Sequence, residues 1–247
     1  RVVLAPHTPE EHFQAAVRAF NLAERYQCLV IVMSDDYNAT TVLSRPAELF
    51  AFDRVVVDRG KLLTRADAEA LTEPYLRYRR TADGVSPRLP PGNGPRSVYL
   101  ASSNLHTEEG HITEDPEVTV QAADKRGLKG QGIVREMRSP LHFGPINAGL
   151  TLVTWGSSYG AAREAMEEIN RRGGSANLVQ FVDMWPLPVD KVQAALQGAA
   201  RVVCIEGNAT GQFAHLLRAE AGIPAVSLLR YDGRPFTAGY ILAHLEA

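Results

Sequence analysis

The sequence predicts an α/β protein, on three observations. Residues 146–247 alternate short apolar runs with helical patterns four times over, as a parallel sheet joined by right-handed crossovers requires. Residues 1–60 hold one more strand–helix–strand unit. The composition, 45% hydrophobic and 22% charged, is ordinary for a globular protein. A chain of 247 residues makes one large or two smaller domains.

The elements follow in order. Residues 2–5 form the first strand. Thr8-Pro9-Glu10-Glu11 starts a helix: Thr8 is the N-cap, Pro9 takes the first helical position, and Glu11 closes a capping box. This helix runs to about Tyr26, with Phe13, Val17, Phe20 and Leu22 mostly inward. Residues 28–33 are a nearly continuous apolar strand, as in a parallel sheet covered on both sides, and Ser34-Asp35-Asp36 ends it. Two strands do not make a domain. The run Arg1-Val2-Val3-Leu4-Ala5-Pro6 also starts inside a strand without an initiating Met. The expectation is a fragment that lacks the first part of this domain.

Residues 61–145 differ in kind. Pro and Gly crowd residues 87–95, residues 98–100 read as a short strand, and residues 117–137 read as a helix polar on most faces. Gly127, Gly130 and Gly132 weaken that helix by about 1 kcal/mol each relative to alanine. The segment is too long for a plain loop, so it packs across its neighbours or is functional. In residues 146–247, strands are expected at 151–154, 177–181, 202–205 and 225–229. Helices are expected at 159–172, 189–198, 211–221 and 237–245.

A formal net charge of −2 gives no electrostatic case for nucleic acid or an anionic membrane. No apolar run reaches bilayer-spanning length, and no signal peptide is visible. Cys28 and Cys204 each lie in an apolar run, which suits two buried reduced thiols in a cytoplasmic protein. Without a C-x-x-C pair this chain alone holds no zinc ribbon and no iron–sulfur cluster.

Four stretches carry candidate chemistry. The turn Glu206-Gly207-Asn208-Ala209-Thr210-Gly211-Gln212 joins a buried strand to a helix, and such a turn can hold an anion on free N–H groups. It lacks the P-loop Lys and the dinucleotide glycine spacing, so the favoured reading is a tight turn with Thr210 or Asn208 as N-cap. Trp155-Gly156-Ser157-Ser158 is a second such turn, with Ser157 or Ser158 as cap. The stretch from His106 to Asp115, with His111 inside it, is the densest group of ligand-type residues. Its spacing matches no metal motif, and a loop packed on a partner is favoured over metal binding. Arg77, Arg79, Arg80, Arg88 and Arg96 form either an anion clamp or a solvated surface, with acids balancing the cations. No nucleophile–base pair stands out.

The motifs taken together resemble a known family. Tyr78-Arg79-Arg80-Thr81-Ala82-Asp83-Gly84-Val85-Ser86-Pro87-Arg88, Pro91-Gly92, Glu108-Glu109-Gly110-His111-Ile112-Thr113-Glu114-Asp115 and Lys125-Arg126 are similar to the alpha subunit of 2-oxoacid:ferredoxin oxidoreductases, the 2-oxoglutarate branch most of all. So are the opening from Thr8 to Asp35, the Glu206–Gln212 turn and Gly233-Arg234-Pro235-Phe236. The resemblance covers essentially the whole chain, as the C-terminal portion of that subunit. It implies that residues 1–60 end the pyrimidine-binding domain of a thiamine-diphosphate enzyme, residues 61–145 connect, and residues 146–247 form a transketolase-C-terminal-like domain.

It further implies oxidative decarboxylation of a 2-oxoacid to an acyl-CoA, with electrons passing through iron–sulfur clusters to ferredoxin. Thiamine diphosphate and Mg2+ would sit mainly on a beta subunit, in a complex expected to be a dimer of alpha–beta units. None of these cofactors would be held by this chain alone. No catalytic residue carries over, because the family's reacting residues would lie upstream of residue 1. Candidates for substrate or subunit contact are Arg88, His106, His111, Asn208, Thr210, Gly211 and Gln212. Two other readings stay open: a scaffold or interaction module without catalysis, and a metal-dependent enzyme centred on His106 and His111.

Overall fold

A computed structural model describes residues 1–94, 96–102 and 104–245. In chain order its strands and α-helices are β1 (Val2–Leu4), α1 (Pro9–Tyr26), β2 (Val30–Val32), α2 (Asp36–Thr40), α3 (Arg65–Glu69), α4 (Pro116–Glu136), β3 (Leu141–Phe143), β4 (Leu150–Trp155), α5 (Tyr159–Arg171), β5 (Ala176–Phe181), β6 (Asp183–Trp185), α6 (Val189–Ala195), β7 (Val202–Glu206), α7 (Gln212–Ala221), β8 (Ala225–Leu229) and α8 (Ala238–Leu245). The α/β class and its parallel sheet are as expected. The chain divides into two compact units: Arg1–Ala19, Val30–Val55 and Met137–Ala247 form one, Phe20–Leu29 and Val56–Glu136 the other.

The first unit is built on a five-stranded sheet in the order β3-β5-β4-β7-β8. β4, β5, β7 and β8 are parallel, and β3 joins antiparallel at one edge. Both faces are covered, so both sets of alternating side chains are apolar. Leu152, Leu178, Val203 and Ile205 pack with Ala162 and Met166 of α5 and Ile241 of α8. Val153, Val179, Phe181 and Cys204 pack with Val192 of α6 and with Phe213 and Leu217 of α7. Each fully buried Leu or Phe adds about 1.5–3 kcal/mol, so this double core carries most of the unit's stability. The Phe181 and Phe213 rings meet edge to face at 4.7 Å.

A three-stranded sheet in the order β2-β1-β6 lies in the same unit, with β1 parallel to β2 and antiparallel to β6. The Asp183 carboxylate on β6 is buried. It accepts both Arg18 Nη groups of α1, at 2.5 and 2.6 Å, and the Arg138 backbone N–H at 2.6 Å. A buried carboxylate with a bidentate Arg and a further donor is fully compensated.

Several local expectations are corrected. β2 pairs only with β1 and forms an edge, so Leu29 is 65% exposed rather than covered on both sides. Phe20 is 75% exposed, whereas Ala15 and Leu22 are buried, so the inward stripe of α1 is narrower than its apolar residues suggest. Residues 98–100 form no strand, and Val98 is 81% exposed. Cys28 is half-buried rather than buried, whereas Cys204 is buried, and both are free thiols. The helix at residues 117–137 is present as α4, capped by Asp115 Oδ1, which accepts from the Glu117 and Val118 N–H groups at 2.8 and 3.0 Å. Its Gly132 has a packing reason: a Cβ there would stand 3.0 Å from the Tyr26 ring.

Candidate functional site: a filled helix cap and a cationic cleft

The turn after β7 is closed by its own side chains. Glu206, 1% exposed, points back under the start of α7. Its carboxylate accepts from the backbone N–H groups of Phe213 at 2.8 Å and Ala214 at 3.0 Å, and from Asn208 Nδ2 at 2.8 Å. The Cys204 thiol donates to the same group at 3.6 Å, and burial together with the Glu206 charge pushes that thiol well above its usual pKa. Asn208 Oδ1 takes the N–H groups of Thr210, Gly211 and Gln212, at 3.1, 2.8 and 3.3 Å.

The N–H groups that could have cradled an external anion therefore face an internal one. This corrects the expected cap: Glu206 caps the helix and Asn208 shapes the turn, while Thr210 contributes only its backbone. Gly211 is needed because its φ is +61° and a Cβ would come within 2.5 Å of Ser227 Oγ. At the other turn neither serine caps α5. Ser158 Oγ donates to the Trp155 carbonyl at 2.9 Å, and Ser157 Oγ donates to Asp35.

A crevice of about 810 Å³ opens at the carboxyl ends of β4, β7 and β8, lined by Asp35, Trp155, Ser157, Gly207, Arg230 and Arg234 among others. β5 and β7 flank β4 on opposite sides, so this is the switch point at which open α/β sheets place ligands. Its polar groups are largely engaged already. Besides the Ser157–Asp35 bond, Arg230 pairs with Asp232 at 3.0 Å and donates to the Pro235 carbonyl at 2.7 Å.

The second unit contains a different arrangement. A cleft of about 370 Å³ is lined by Tyr78, Arg80, the 104–109 segment and, from α4, Val118, Gln121, Ala122, Lys125, Arg126 and Lys129. Gly84 lets the 78–88 loop lie directly on α4: at φ +74°, a Cβ would come within 2.3 Å of the Lys125 carbonyl oxygen and 2.8 Å of the Lys129 nitrogen. His106 packs against Tyr78, with ring centroids 3.7 Å apart and planes tilted by 30°, and walls one side. Glu108 is held by Arg80, through its backbone N–H at 2.5 Å and its guanidinium at 3.2 Å.

Lys125 has no such partner. Its ammonium donates to the Tyr78 carbonyl and to Ser86 Oγ, both at 2.6 Å, and these acceptors are neutral. Burial first, then Lys129 and Arg77, lower its pKa to about 8. Lys129 donates to the Gln27 carbonyl at 3.3 Å, and burial lowers its pKa too. Among the described residues no carboxylate pairs with Lys125, Arg126 or Lys129.

The candidate residues thus separate. Asn208, Thr210, Gly211 and Gln212 meet in the filled turn, where the Thr210 and Gln212 side chains face solvent. Arg88 lies away from the cleft lining and pairs with Glu24. His106 lines the cleft, while His111 is exposed on the other arm of the same loop, its carbonyl bonded to the Thr107 N–H at 2.9 Å. Among the described residues no three His, Cys, Asp or Glu side chains gather as metal ligands. Sequence reasoning placed Lys125 only in a family-like motif and did not single out Lys129. The signal was available: neither they nor Arg126 has an Asp or Glu three or four residues away on the helix.

The fold and its sites define an α/β chain whose parallel-sheet turn is filled from within and whose second unit carries unneutralised cations. The particular kinship is given by the comparisons. No family model matches the chain. It is 34% identical over 240 residues to 2-oxoacid:ferredoxin oxidoreductase 2, subunit alpha, of Aeropyrum pernix, covering 95% of this chain and 36% of that protein. It is 31% identical over 241 residues to 2-oxoacid:ferredoxin oxidoreductase 1, subunit alpha, of Sulfurisphaera tokodaii, covering 96% and 36%. Against 2-oxoglutarate synthase subunit KorA of Methanothermobacter thermautotrophicus the identity is 26%, covering 92% and 58%.

Among solved structures, the 2-oxoglutarate:ferredoxin oxidoreductase from Magnetococcus marinus, with 2-oxoglutarate, coenzyme A and succinyl-CoA bound, matches with a TM-score of 0.86 at 27% identity. That match covers all of this chain and 42% of the other. Over nearly its whole length the chain is therefore a homologue of a segment of the alpha subunits of 2-oxoacid:ferredoxin oxidoreductases. It spans little more than a third, 36%, of the length of the first relatives.

Proposed function

We propose that this chain serves as part of the alpha subunit of a 2-oxoacid:ferredoxin oxidoreductase, with 2-oxoglutarate as the favoured substrate. The reaction is oxidative decarboxylation to an acyl-CoA, with electrons delivered to ferredoxin. The observation that carries this reading is the likeness of the whole chain, at a TM-score of 0.86 and 27% identity, to an enzyme of that name. On this reading residues 1–60 end a pyrimidine-binding domain, residues 61–145 connect, and residues 146–247 are the transketolase-C-terminal-like domain. The complex pairs this subunit with a beta subunit, as a dimer of alpha–beta units in the cytoplasm. No helix among the described residues is long and apolar enough to cross a membrane.

The residues of this chain do not fit the cofactors of that reaction. Two cysteines cannot supply a four-thiolate cluster site. The N–H groups of Phe213 and Ala214 at the start of α7 are taken by Glu206 and do not face an external anion. On this reading thiamine diphosphate, Mg2+ and the iron–sulfur cluster are held elsewhere in the complex, and the chain contributes fold and contact surface to it. The exposed side chains of Thr210 and Gln212, with Arg88 and His111, are its candidates for subunit contact.

The test is turnover. The purified chain with 2-oxoglutarate, coenzyme A and a viologen acceptor is expected to reduce nothing. The complete alpha subunit with its beta subunit, thiamine diphosphate and Mg2+ is expected to reduce the acceptor. Turnover by the isolated chain contradicts the structural role, and an inactive complete complex contradicts the enzyme reading.

A further inference from the structure

We propose that the cleft between the Tyr78–His106 ring pair and α4 binds a phosphate- or pyrophosphate-bearing ligand, held by Lys125, Arg126 and Lys129. Four cations, Arg80, Lys125, Arg126 and Lys129, line one cleft with two carboxylates, Glu108 and Glu109. Glu108 is committed to Arg80. Glu109 is exposed to solvent. Among the described residues the other three cations form no ion pair, and two of them are half-buried. Burying a cation beside like charges is costly unless it is paired. Among the described residues the acceptors of Lys125 and Lys129 are two backbone carbonyls and a hydroxyl, and the Glu108 charge offsets only part of the burial of Lys125.

Charge and shape select the ligand class. A monocarboxylate would neutralise one of the three cations, whereas a phosphate or pyrophosphate carries two or more charges and several acceptor oxygens. Lys125 and Lys129 lie one helical turn apart on one face of α4, and both line the cleft. The Tyr78–His106 pair offers an aromatic wall for whatever the phosphate carries. The loop is fixed against the helix backbone by Gly84, so the cleft is preformed. This inference does not depend on the oxidoreductase reading.

The experiment is calorimetric titration of the purified chain with inorganic pyrophosphate at low ionic strength, with sodium acetate in parallel. Saturable one-to-one binding of pyrophosphate is expected, with acetate at least tenfold weaker. Arg126→Gln and Lys129→Gln are each expected to weaken binding by tenfold or more. Arg201→Gln, which removes an exposed cation of the first unit, is expected to leave it unchanged. Arg126 is exposed on α4, so its variant folds even where Lys129→Gln does not. Absence of saturable binding overturns the proposal. So does equal binding to wild type and Arg126→Gln, or acetate binding as tightly as pyrophosphate.

Discussion

The turn after β7 and the cleft on α4 are both places where backbone and charge converge, yet they resolve the charge differently. At the turn, one buried carboxylate meets two backbone N–H groups, an amide and a thiol, all from the same chain. At the cleft, the half-buried Lys125 and Lys129 donate to neutral acceptors among the described residues. A helix start whose donors are consumed internally is structure. A half-buried cation without an ion-pair partner carries a cost that a bound anion would offset.

This contrast can be broken at either end. The largest effect is expected at Glu206. Glu206→Ala orphans the buried N–H groups of Phe213 and Ala214, at roughly 2 kcal/mol each, for a loss of about 4 kcal/mol in chemical denaturation. Glu206→Gln, which keeps an acceptor oxygen, should lose about half of that. A change under about 1 kcal/mol in Glu206→Ala would mean that the cap does not hold the turn.

Next comes Gly84→Ala, whose methyl group would strike the α4 backbone at a positive φ. A loss of about 2–3 kcal/mol is expected, together with weakened pyrophosphate binding, because the loop must lift from the helix. Unchanged stability would show that the loop is not seated there. Asn208→Ala removes the acceptor for three backbone N–H groups in a partly exposed turn and should cost about 1–2 kcal/mol.

The smallest effect is the pH dependence of Lys125. Its folded pKa of about 8 lies below the usual lysine value of 10.5. The folded state therefore binds fewer protons than the unfolded state between these values, and stability gains from this group as pH rises through that window. Below pH 8 the full cost of burying the charge is present. Lys125→Met removes the titration, so its melting temperature relative to wild type should be more favourable at pH 7 than at pH 10. An offset that does not vary with pH would show that burial does not perturb Lys125.

The fold was legible where both faces of the sheet are buried. The run Ala225–Leu229 was read at its actual bounds, and β4, β5 and β7 within one residue at either end. Continuous apolar runs punctuated by turn residues carry that information. β3 and β6 were not seen, because three residues are too short for a period and their pairing is long-range. Phe20 and Val98 misled for a related reason: an apolar side chain announces burial only where a partner element covers it.

The candidate site was legible in part. Asn208 and Gly211 were picked out, but Glu206 was not recognised as the cap, since its carboxylate reaches seven and eight residues along the chain rather than the usual two or three. Lys125 appeared only as part of a motif. Its significance lies in the acid that is missing around it.

The most direct test of the central claim sets the two regions against one ligand in a thermal-shift measurement. Pyrophosphate at 100 times its dissociation constant should stabilise the wild-type chain by about 2.7 kcal/mol, and Asn208→Ala by the same amount. Arg126→Gln and Lys129→Gln should lose most of that gain. If the stabilisation survives in the α4 variants and disappears in Asn208→Ala, the ligand sits at the turn after β7 and the assignment of the two regions is reversed.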